Sequence, residues 1–228
     1  AKGADVAIGA TLFGSETKIN STDRSGFAEA IAAAKKADVV IMVLGEHGLQ
    51  TGEGRSRTKI DIPGVQQELL EAVYKANPNV VLVLQNGRPL AIPWAAENIA
   101  AIVEGWHLGT QSGNAIAQVL YGDYNPSGKL PMSFPRSVGQ VPLYYNHKST
   151  GRPGGDTPTE SVFWSHYGDE ANSALYPFGH GLSYSKFEYS NLKLSNTSFN
   201  KSGKITVSVD VKNNSNVDGK EVVQLYLQ

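Results

Sequence analysis

Three continuous apolar runs alternate with amphipathic segments in the first half of this chain, and that alternation limits the folds open to it. Residues 39–44, 80–84 and 99–103 are apolar on both faces of an extended chain, as strands buried in a parallel sheet are. The segments between them place apolar residues at helical spacing. Strands that alternate with helices along the chain predict an α/β fold, with a mainly parallel sheet sandwiched by helices.

Four helices are predicted around these strands. In residues 25–36, apolar side chains recur at positions i, i+3, i+4 and i+7. Pro63 opens the second helix, because proline is tolerated in a first helical turn. A short third helix spans residues 92–98, and a fourth runs from about Gly113 to about Leu120.

The second half of the chain has a different character. It begins with an irregular stretch rich in proline, glycine and aromatic residues, which predicts a long connector. Residues 187–194, 204–212 and 221–227 then predict β-strands. Only about 45 residues of this β-rich part are present, against about 100 in a complete immunoglobulin-like sandwich, so an incomplete sandwich is expected. The predicted domains are an α/β sandwich domain at 1–135, the irregular connector at 136–184 and the partial β-sandwich at 185–228.

A glycine-rich loop that carries two carboxylates follows the first apolar run. Its sequence over residues 45–57 is GEHGLQTGEGRSR. In open α/β sheets, ligands bind beyond the carboxyl ends of the strands, and loops held there by a rigid scaffold often carry the chemistry. Glu53, between two glycines, is the candidate proton donor. Glu46, directly at the strand end, is the alternative candidate.

Composition and motif spacing exclude several classes of function. A net charge of −1 gives no electrostatic reason to expect nucleic acid or an anionic membrane as a partner. No apolar run approaches the roughly 18–20 residues of a membrane-spanning helix. The absence of cysteine excludes disulfides, thiolate metal sites and a cysteine nucleophile. Glu46, His47 and Glu53 do not have a known metal-ligand spacing, and the loop glycines form neither a dinucleotide-binding motif nor a P-loop, so no metal is predicted.

Six segments of the chain, in order and with ordinary spacing, match one known family. The two longest are residues 122–135 (GDYNPSGKLPMSFP) and 176–184 (YPFGHGLSY). The other four are residues 45–57, 86–89, 141–145 and 150–153. Together these segments resemble glycoside hydrolase family 3, and they are most similar to its bacterial, often periplasmic, β-glucosidases.

The resemblance implies a domain plan and a division of catalytic roles. In that family a TIM-like barrel precedes an α/β sandwich domain and a fibronectin-III-like β-sandwich, and this chain is similar to the second domain and the start of the third. The barrel, which supplies the nucleophilic aspartate, is missing from the chain, so activity without it is not expected. The family's general acid/base lies on a loop of the second domain, and Glu53 matches it by motif position.

The implied function is the acid/base-bearing part of a retaining β-glucosidase, which hydrolyses terminal β-D-glucosyl residues from oligosaccharides or glucosides. Such an enzyme needs no cofactor. The implied partners are the β-glucoside and a barrel domain, on the same precursor or on another chain, and a homodimer is left open. The implied location is periplasmic or secreted. Two alternatives stay open: a β-xylosidase or exo-glucanase of the same family, and a non-catalytic carbohydrate-binding or assembly module.

Two tryptophans are candidates for sugar contact. Aromatic faces stack on sugar rings, and Trp106 follows the third strand while Trp164 lies in an aromatic loop-like segment. For both residues the alternative is packing within the protein.

Two arginines follow Glu53 in the loop and bear on its candidate role as a proton donor. An arginine facing Glu53 would favour its ionised form and oppose proton donation, so Arg55 and Arg57 are expected to point elsewhere. Arg57 is expected to reach Asp61 or another structural carboxylate. The alternative for Glu46 is a structural residue that holds the loop by hydrogen bonds, and the alternative for Glu53 is an ordinary solvated glutamate.

Overall fold

The computed structural model describes residues 22–48, 50–148, 151–156, 162–198 and 200–227. These residues divide into two compact units. The first runs from residue 22 to Ser112 and from Met132 to Phe178, and the second comprises Gly113–Pro131 and the chain from Gly179 to residue 227. Residues 1–21 of the predicted α/β domain lie outside the described residues. The three-domain boundaries expected from the sequence stay a prediction.

A three-stranded parallel sheet forms the centre of the first unit. Its strands are β1 (Val40–Gly45), β2 (Val80–Gln85) and β3 (Ala101–Glu104), in the order β1-β2-β3. Every described pairing is parallel, so all three strands end at the same edge of the sheet. The parallel α/β fold predicted from the sequence is confirmed.

Helix α1 (Phe27–Ala34) precedes β1, helix α2 (Gln66–Ala76) connects β1 to β2, and helix α3 (Pro93–Asn98) connects β2 to β3. Pro93 occupies the first turn of α3, where the missing amide hydrogen is not needed. The second helix begins later than its sequence predicts. Gly64, with φ of 68°, holds a turn between Pro63 and the first residue of α2.

The core of the first unit is built around β2. Leu82, Val83 and Leu84 are fully buried, and Leu70 of α2 is buried with them. Each such side chain contributes about 1.5–3 kcal/mol relative to an exposed one. The expectation that the first strand is buried on both faces is wrong for the described residues. Ile41 and Val43 are 46% and 55% exposed, because β1 lies at the edge of the described sheet and no described element covers that face of it.

Among its described residues, the second unit contains one helix and one hairpin-like pair of strands. Helix α4 (Ser112–Leu120) enters it after Ser112, and strands β4 (Phe187–Leu194) and β5 (Val207–Asn213) pair antiparallel. The sequence predicts a further strand at residues 221–227. It is not formed in the structure: these residues make no backbone ladder with any described segment. Asn125 joins the unit by donating to the Ser185 hydroxyl at 2.8 Å and to the Asp218 carbonyl at 2.9 Å.

The first unit also contains the segment Met132–Phe178, whose described residues are irregular apart from one 3₁₀ turn at Val138–Gln140. The buried Gln140 side chain holds it together by accepting from the Arg136 amide at 2.7 Å and donating to the Ala171 carbonyl at 2.8 Å. Such long irregular segments are uncommon in compact domains. Within the described residues, every helix is too short or too polar to cross a membrane.

Candidate active site

Polar side chains meet where the three parallel strands end. Glu46 follows β1, Asn86 follows β2, and Glu104 is the last residue of β3. The Asn86 side-chain amide lies 3.3 Å from Glu104 Oε2, and the amide of the next residue, Gly87, lies 3.3 Å from Glu46 Oε2. The carboxyl edge of the sheet therefore carries one connected polar network, which is where an α/β sheet places its ligands.

The end of β1 is shaped by Gly45. Its φ is 138°, and a Cβ at this position would overlap the carbonyl of Gln85 on β2. The Gln66 side chain accepts from the Gly45 amide and donates to the Gly45 carbonyl, both at 2.9 Å. The Glu46 amide then donates to the Gln85 carbonyl at 2.8 Å. This backbone path directs the Glu46 side chain into the protein.

Glu46 is a buried carboxylate bound by two arginines. Its side chain is fully covered, Arg57 Nη1 lies 2.7 Å from Oε1, and Arg88 Nε lies 3.0 Å from the same oxygen. The Gly87 amide donates to the other oxygen at 3.3 Å. A buried charge of this kind is tolerated only when its partners are present. The carboxylate thus acts as a fixed anchor between the loop and the turn after β2.

Arg88 extends that anchor to the loop backbone. One nitrogen of its guanidinium, Nη2, donates to the carbonyls of Gln50 and Arg55, each at 2.9 Å. Arg57 holds the end of the loop by donating from Nη2 to the Asp61 carbonyl at 3.1 Å. Arg57 therefore reaches both the structural carboxylate and the Asp61 region that the sequence analysis expected.

Glu53 lies at the exposed tip of this loop. It stands between Gly52, with φ of 107°, and Gly54, with φ of 67°, and the Arg55 amide closes a turn by donating to the Gly52 carbonyl at 3.1 Å. Among the described residues, no hydrogen bond or ion pair to the Glu53 carboxylate is present. The two glutamates of the loop thus have opposite surroundings, one covered and paired and the other open.

Glu104 is a second carboxyl group in this network. Its Oε1 accepts from the Trp106 amide at 2.9 Å and its Oε2 faces the Asn86 side chain. Burial raises the pKa of Glu104 from its ordinary 4.5 to about 7, against the opposing effect of these two hydrogen bonds. Asn86 Oδ1 is buried without a partner in the described structure. The network therefore contains a second carboxyl group, whose protonated form is favoured by burial relative to that of an exposed glutamate.

The two tryptophans lie in different surroundings. The Trp106 backbone has φ of 49°, and its ring packs against Phe134, with 5.8 Å between the centroids. Trp164 is 52% exposed, beside the bridge that pairs Pro153 with Ser165. The described contacts bring neither tryptophan to Glu53, and sugar contact by either residue stays a prediction.

A metal site needs several ligating side chains close together. Within the described part of the chain, no group of three or more His, Asp or Glu side chains is arranged to hold a metal ion. The His47 amide donates to the Gln50 side chain at 2.7 Å, which makes this backbone part of the loop's local structure.

Three residues of the network were missed by the sequence analysis as site residues: Asn86, Arg88 and Glu104. The signal that found Glu46 and Glu53 also applies to them, because each lies at or just beyond the carboxyl end of a strand. In the sequence, residues 86–89 stand out only as one of the segments that carry the family resemblance. Arg88, in this segment, contacts the loop only in the folded protein, so the local sequence does not indicate its role.

Comparison with known proteins assigns the chain to a family. Residues 4–184 match the model of the glycosyl hydrolase family 3 C-terminal domain. This chain belongs to glycoside hydrolase family 3. The match covers the sheet, the loop that carries Glu53 and the irregular segment, so the family resemblance inferred from the sequence motifs is confirmed.

Individual relatives support the same assignment. Over 88% of this chain, it is 52% identical to a periplasmic beta-glucosidase of Salmonella typhimurium. Over 92% of this chain, it is 46% identical to a beta-xylosidase of Formosa agariphila. The crystal structure of a beta-glucosidase from Listeria innocua in complex with glucose matches 89% of the chain at 39% identity, with a TM-score of 0.82. The chain spans only 26–28% of the length of these three proteins.

Proposed function

We propose that this chain carries the general acid/base of a retaining β-glucosidase and that Glu53 is that residue. The observation that carries the proposal is the separation of Glu53 from the arginines of its own loop. Arg57 is occupied by the buried Glu46, and no described contact joins Arg55 to the Glu53 carboxylate. A carboxylic acid that donates a proton near neutral pH must not face a guanidinium that favours its ionised form.

The chemistry needs two carboxyl groups about 5–5.5 Å apart. An aspartate on the barrel domain attacks the anomeric carbon while Glu53 donates its proton to the leaving oxygen, and the glycosidic bond breaks. Glu53, now a carboxylate, then takes a proton from water. The water oxygen attacks the anomeric carbon, frees the aspartate and releases the sugar with its configuration retained. This mechanism uses no metal and no cofactor.

Glu46 fits a structural role better than the acid/base role. Its side chain is fully covered and its two oxygens are occupied by Arg57, Arg88 and the Gly87 amide. A proton donor must come within hydrogen-bond reach of the leaving oxygen. A substrate oxygen could reach Glu46 only after this ion cluster had been taken apart.

The rest of the active site is proposed to lie on a barrel domain, on the same precursor or on another chain. The short share of each relative that this chain spans supports this view. Terminal β-D-glucosides are the proposed substrates, and the relative named a beta-xylosidase makes β-xylosides the second candidate. The relative named periplasmic supports a periplasmic or secreted location. A homodimer stays a prediction, which light scattering on the purified protein tests.

The test supplies a barrel domain by grafting these residues into the Salmonella beta-glucosidase in place of the matching segment. Glu53→Ala and Glu46→Ala are compared in this chimaera with Glu97→Gln, which changes an exposed glutamate on α3. Substrates are cellobiose, whose leaving group needs a proton, and 2,4-dinitrophenyl β-glucoside, whose leaving group does not. Matching aryl β-xylosides compare the two candidate sugars.

For Glu53→Ala we expect cellobiose hydrolysis to fall by about 10²–10⁴-fold while formation of the glycosyl-enzyme from the aryl glucoside is little affected. Added azide should restore turnover of the aryl glucoside by replacing the deprotonated water. Glu97→Gln should behave like the parent. The same pattern in Glu46→Ala and not in Glu53→Ala would mean that Glu46 is the acid/base. Unchanged activity of Glu53→Ala would favour a non-catalytic module.

A further inference from the structure

The loop that carries Glu53 is closed at its base by one guanidinium group from another part of the chain. Arg88 follows β2, and its Nη2 donates to the carbonyls of Gln50 and Arg55, each at 2.9 Å. These two carbonyls flank residues 51–54. A single side chain therefore fixes the separation between the two ends of the segment in which Glu53 lies.

Arg88 is itself held by the buried carboxylate of Glu46. Arg88 Nε lies 3.0 Å from Glu46 Oε1 and 3.3 Å from Oε2, and the arginine side chain is only 22% exposed. The guanidinium thus binds the buried Glu46 carboxylate with one edge and the carbonyls of Gln50 and Arg55 with another. A planar fork with several donors can make these contacts together, which the single ammonium of a lysine cannot do.

The loop packs tightly against the backbone of Gly87, which precedes Arg88 in the turn after β2. A Cβ at Gly87 would overlap the Thr51 side chain, so Thr51 packs directly on the backbone next to Arg88. Beyond Thr51 the chain makes the exposed Gly52–Arg55 turn that contains Glu53. The base of the segment is therefore fixed by hydrogen bonds and packing, while its tip is open.

We propose that Arg88 is a positioning residue for the acid/base, which sets the location of Glu53 by holding the Gln50 and Arg55 carbonyls. The proposal rests on the proposed function of Glu53. Arg57 offers a matched comparison, because it binds the same carboxylate but donates to the Asp61 carbonyl outside the segment. Loss of either guanidinium weakens the Glu46 cluster, and only loss of Arg88 releases both ends of the segment.

The experiment compares Arg88→Lys with Arg57→Lys in the same chimaera, with Glu53→Ala alongside. For Arg88→Lys we expect kcat for cellobiose to fall about tenfold to hundredfold, because misplacement of a catalytic group by about 1 Å costs that much. The rate of glycosyl-enzyme formation from 2,4-dinitrophenyl β-glucoside should change less than about threefold, since that step needs no proton donor. Arg57→Lys should change both rates by the same factor.

Amide hydrogen exchange in residues 50–55 provides a readout independent of catalysis. Exchange there should be faster in Arg88→Lys than in Arg57→Lys at equal global stability. If Arg88→Lys fails to fold, Arg88→Gln takes its place, because the neutral glutamine buries no charge of its own, and Glu46 keeps the Arg57 guanidinium in either variant.

The outcomes separate this inference from the proposed function. If Glu53→Ala shows the leaving-group pattern and neither Arg88 variant does, or if Arg57→Lys shows it equally, the positioning role is overturned and the acid/base assignment stands. If Glu53→Ala lacks the pattern, the proposed function fails and the positioning role fails with it.

Discussion

Glu104 should make the stability of this protein depend on pH in an unusual direction. Its pKa in the folded protein is about 7 because the carboxyl group is buried, against an ordinary value of 4.5. The folded state therefore binds a proton more tightly than the unfolded state does. The stability that Glu104 contributes is fully present below about pH 4.5 and is lost progressively as the pH rises through 7.

The expected size of this pH-dependent change in stability follows from the folded and unfolded pKa values of Glu104. At about 1.4 kcal/mol per pH unit, the difference between them corresponds to a loss of about 3 kcal/mol between pH 4.5 and pH 8. The group is not wholly removed from solvent, so this value is an upper bound. In Glu104→Gln the amide is neutral at every pH and its oxygen can still accept from the Trp106 amide. The variant should therefore exceed the parent in stability at pH 8 and lose that advantage at pH 4.5.

Urea unfolding of the parent and of Glu104→Gln at half-unit steps from pH 4.5 to 8.5 measures this difference directly. Glu97→Gln accounts for the loss of one negative charge at an exposed position. A difference between Glu104→Gln and the parent that stays constant across this range would refute the reasoning, as would a variant that is the less stable protein at pH 8.

Two further predictions concern the network at the carboxyl edge of the sheet. Glu46→Ala leaves two arginines without their buried carboxylate and should lower the free energy of unfolding by about 3–5 kcal/mol. Glu68→Ala, which breaks the exposed pair with Arg24, should cost less than about 1 kcal/mol in the same urea titration, and equal losses would contradict the burial argument. Gly87→Ala should cost about 1–3 kcal/mol because its methyl group overlaps Thr51. Thr51→Ala in the same chain should recover part of that loss, whereas strictly additive effects of the two changes would show that they do not touch.

Much of the fold could be predicted from local patterns. The apolar runs that become β1, β2 and β3 are each continuous in the chain, and their strand character follows from the side chains of a few neighbouring residues. The burial of β1 could not be predicted in this way. Its sequence is as apolar as that of β2, but Ile41 and Val43 are half exposed because burial depends on which element lies beside a strand.

The strand expected at residues 221–227 shows the same limit. Its apolar and polar residues have a β-like pattern, but a strand exists only where another chain segment accepts and donates its backbone hydrogen bonds. No such ladder is present there among the described residues, while β4 and β5 each find a partner in the other.

The amino-acid sequence alone determined the α/β architecture, the family and the two carboxylates of the loop, since these depend on residue periodicity and on motifs contained in short stretches. Only the tertiary structure decided which carboxylate is buried. Glu46 is paired with Arg57, 11 residues along the chain, and with Arg88, 42 residues along, and Glu53 is left in the open. Ion pairs and desolvation depend on distances in space between residues remote in sequence, so no local pattern could have assigned the two glutamates their different surroundings.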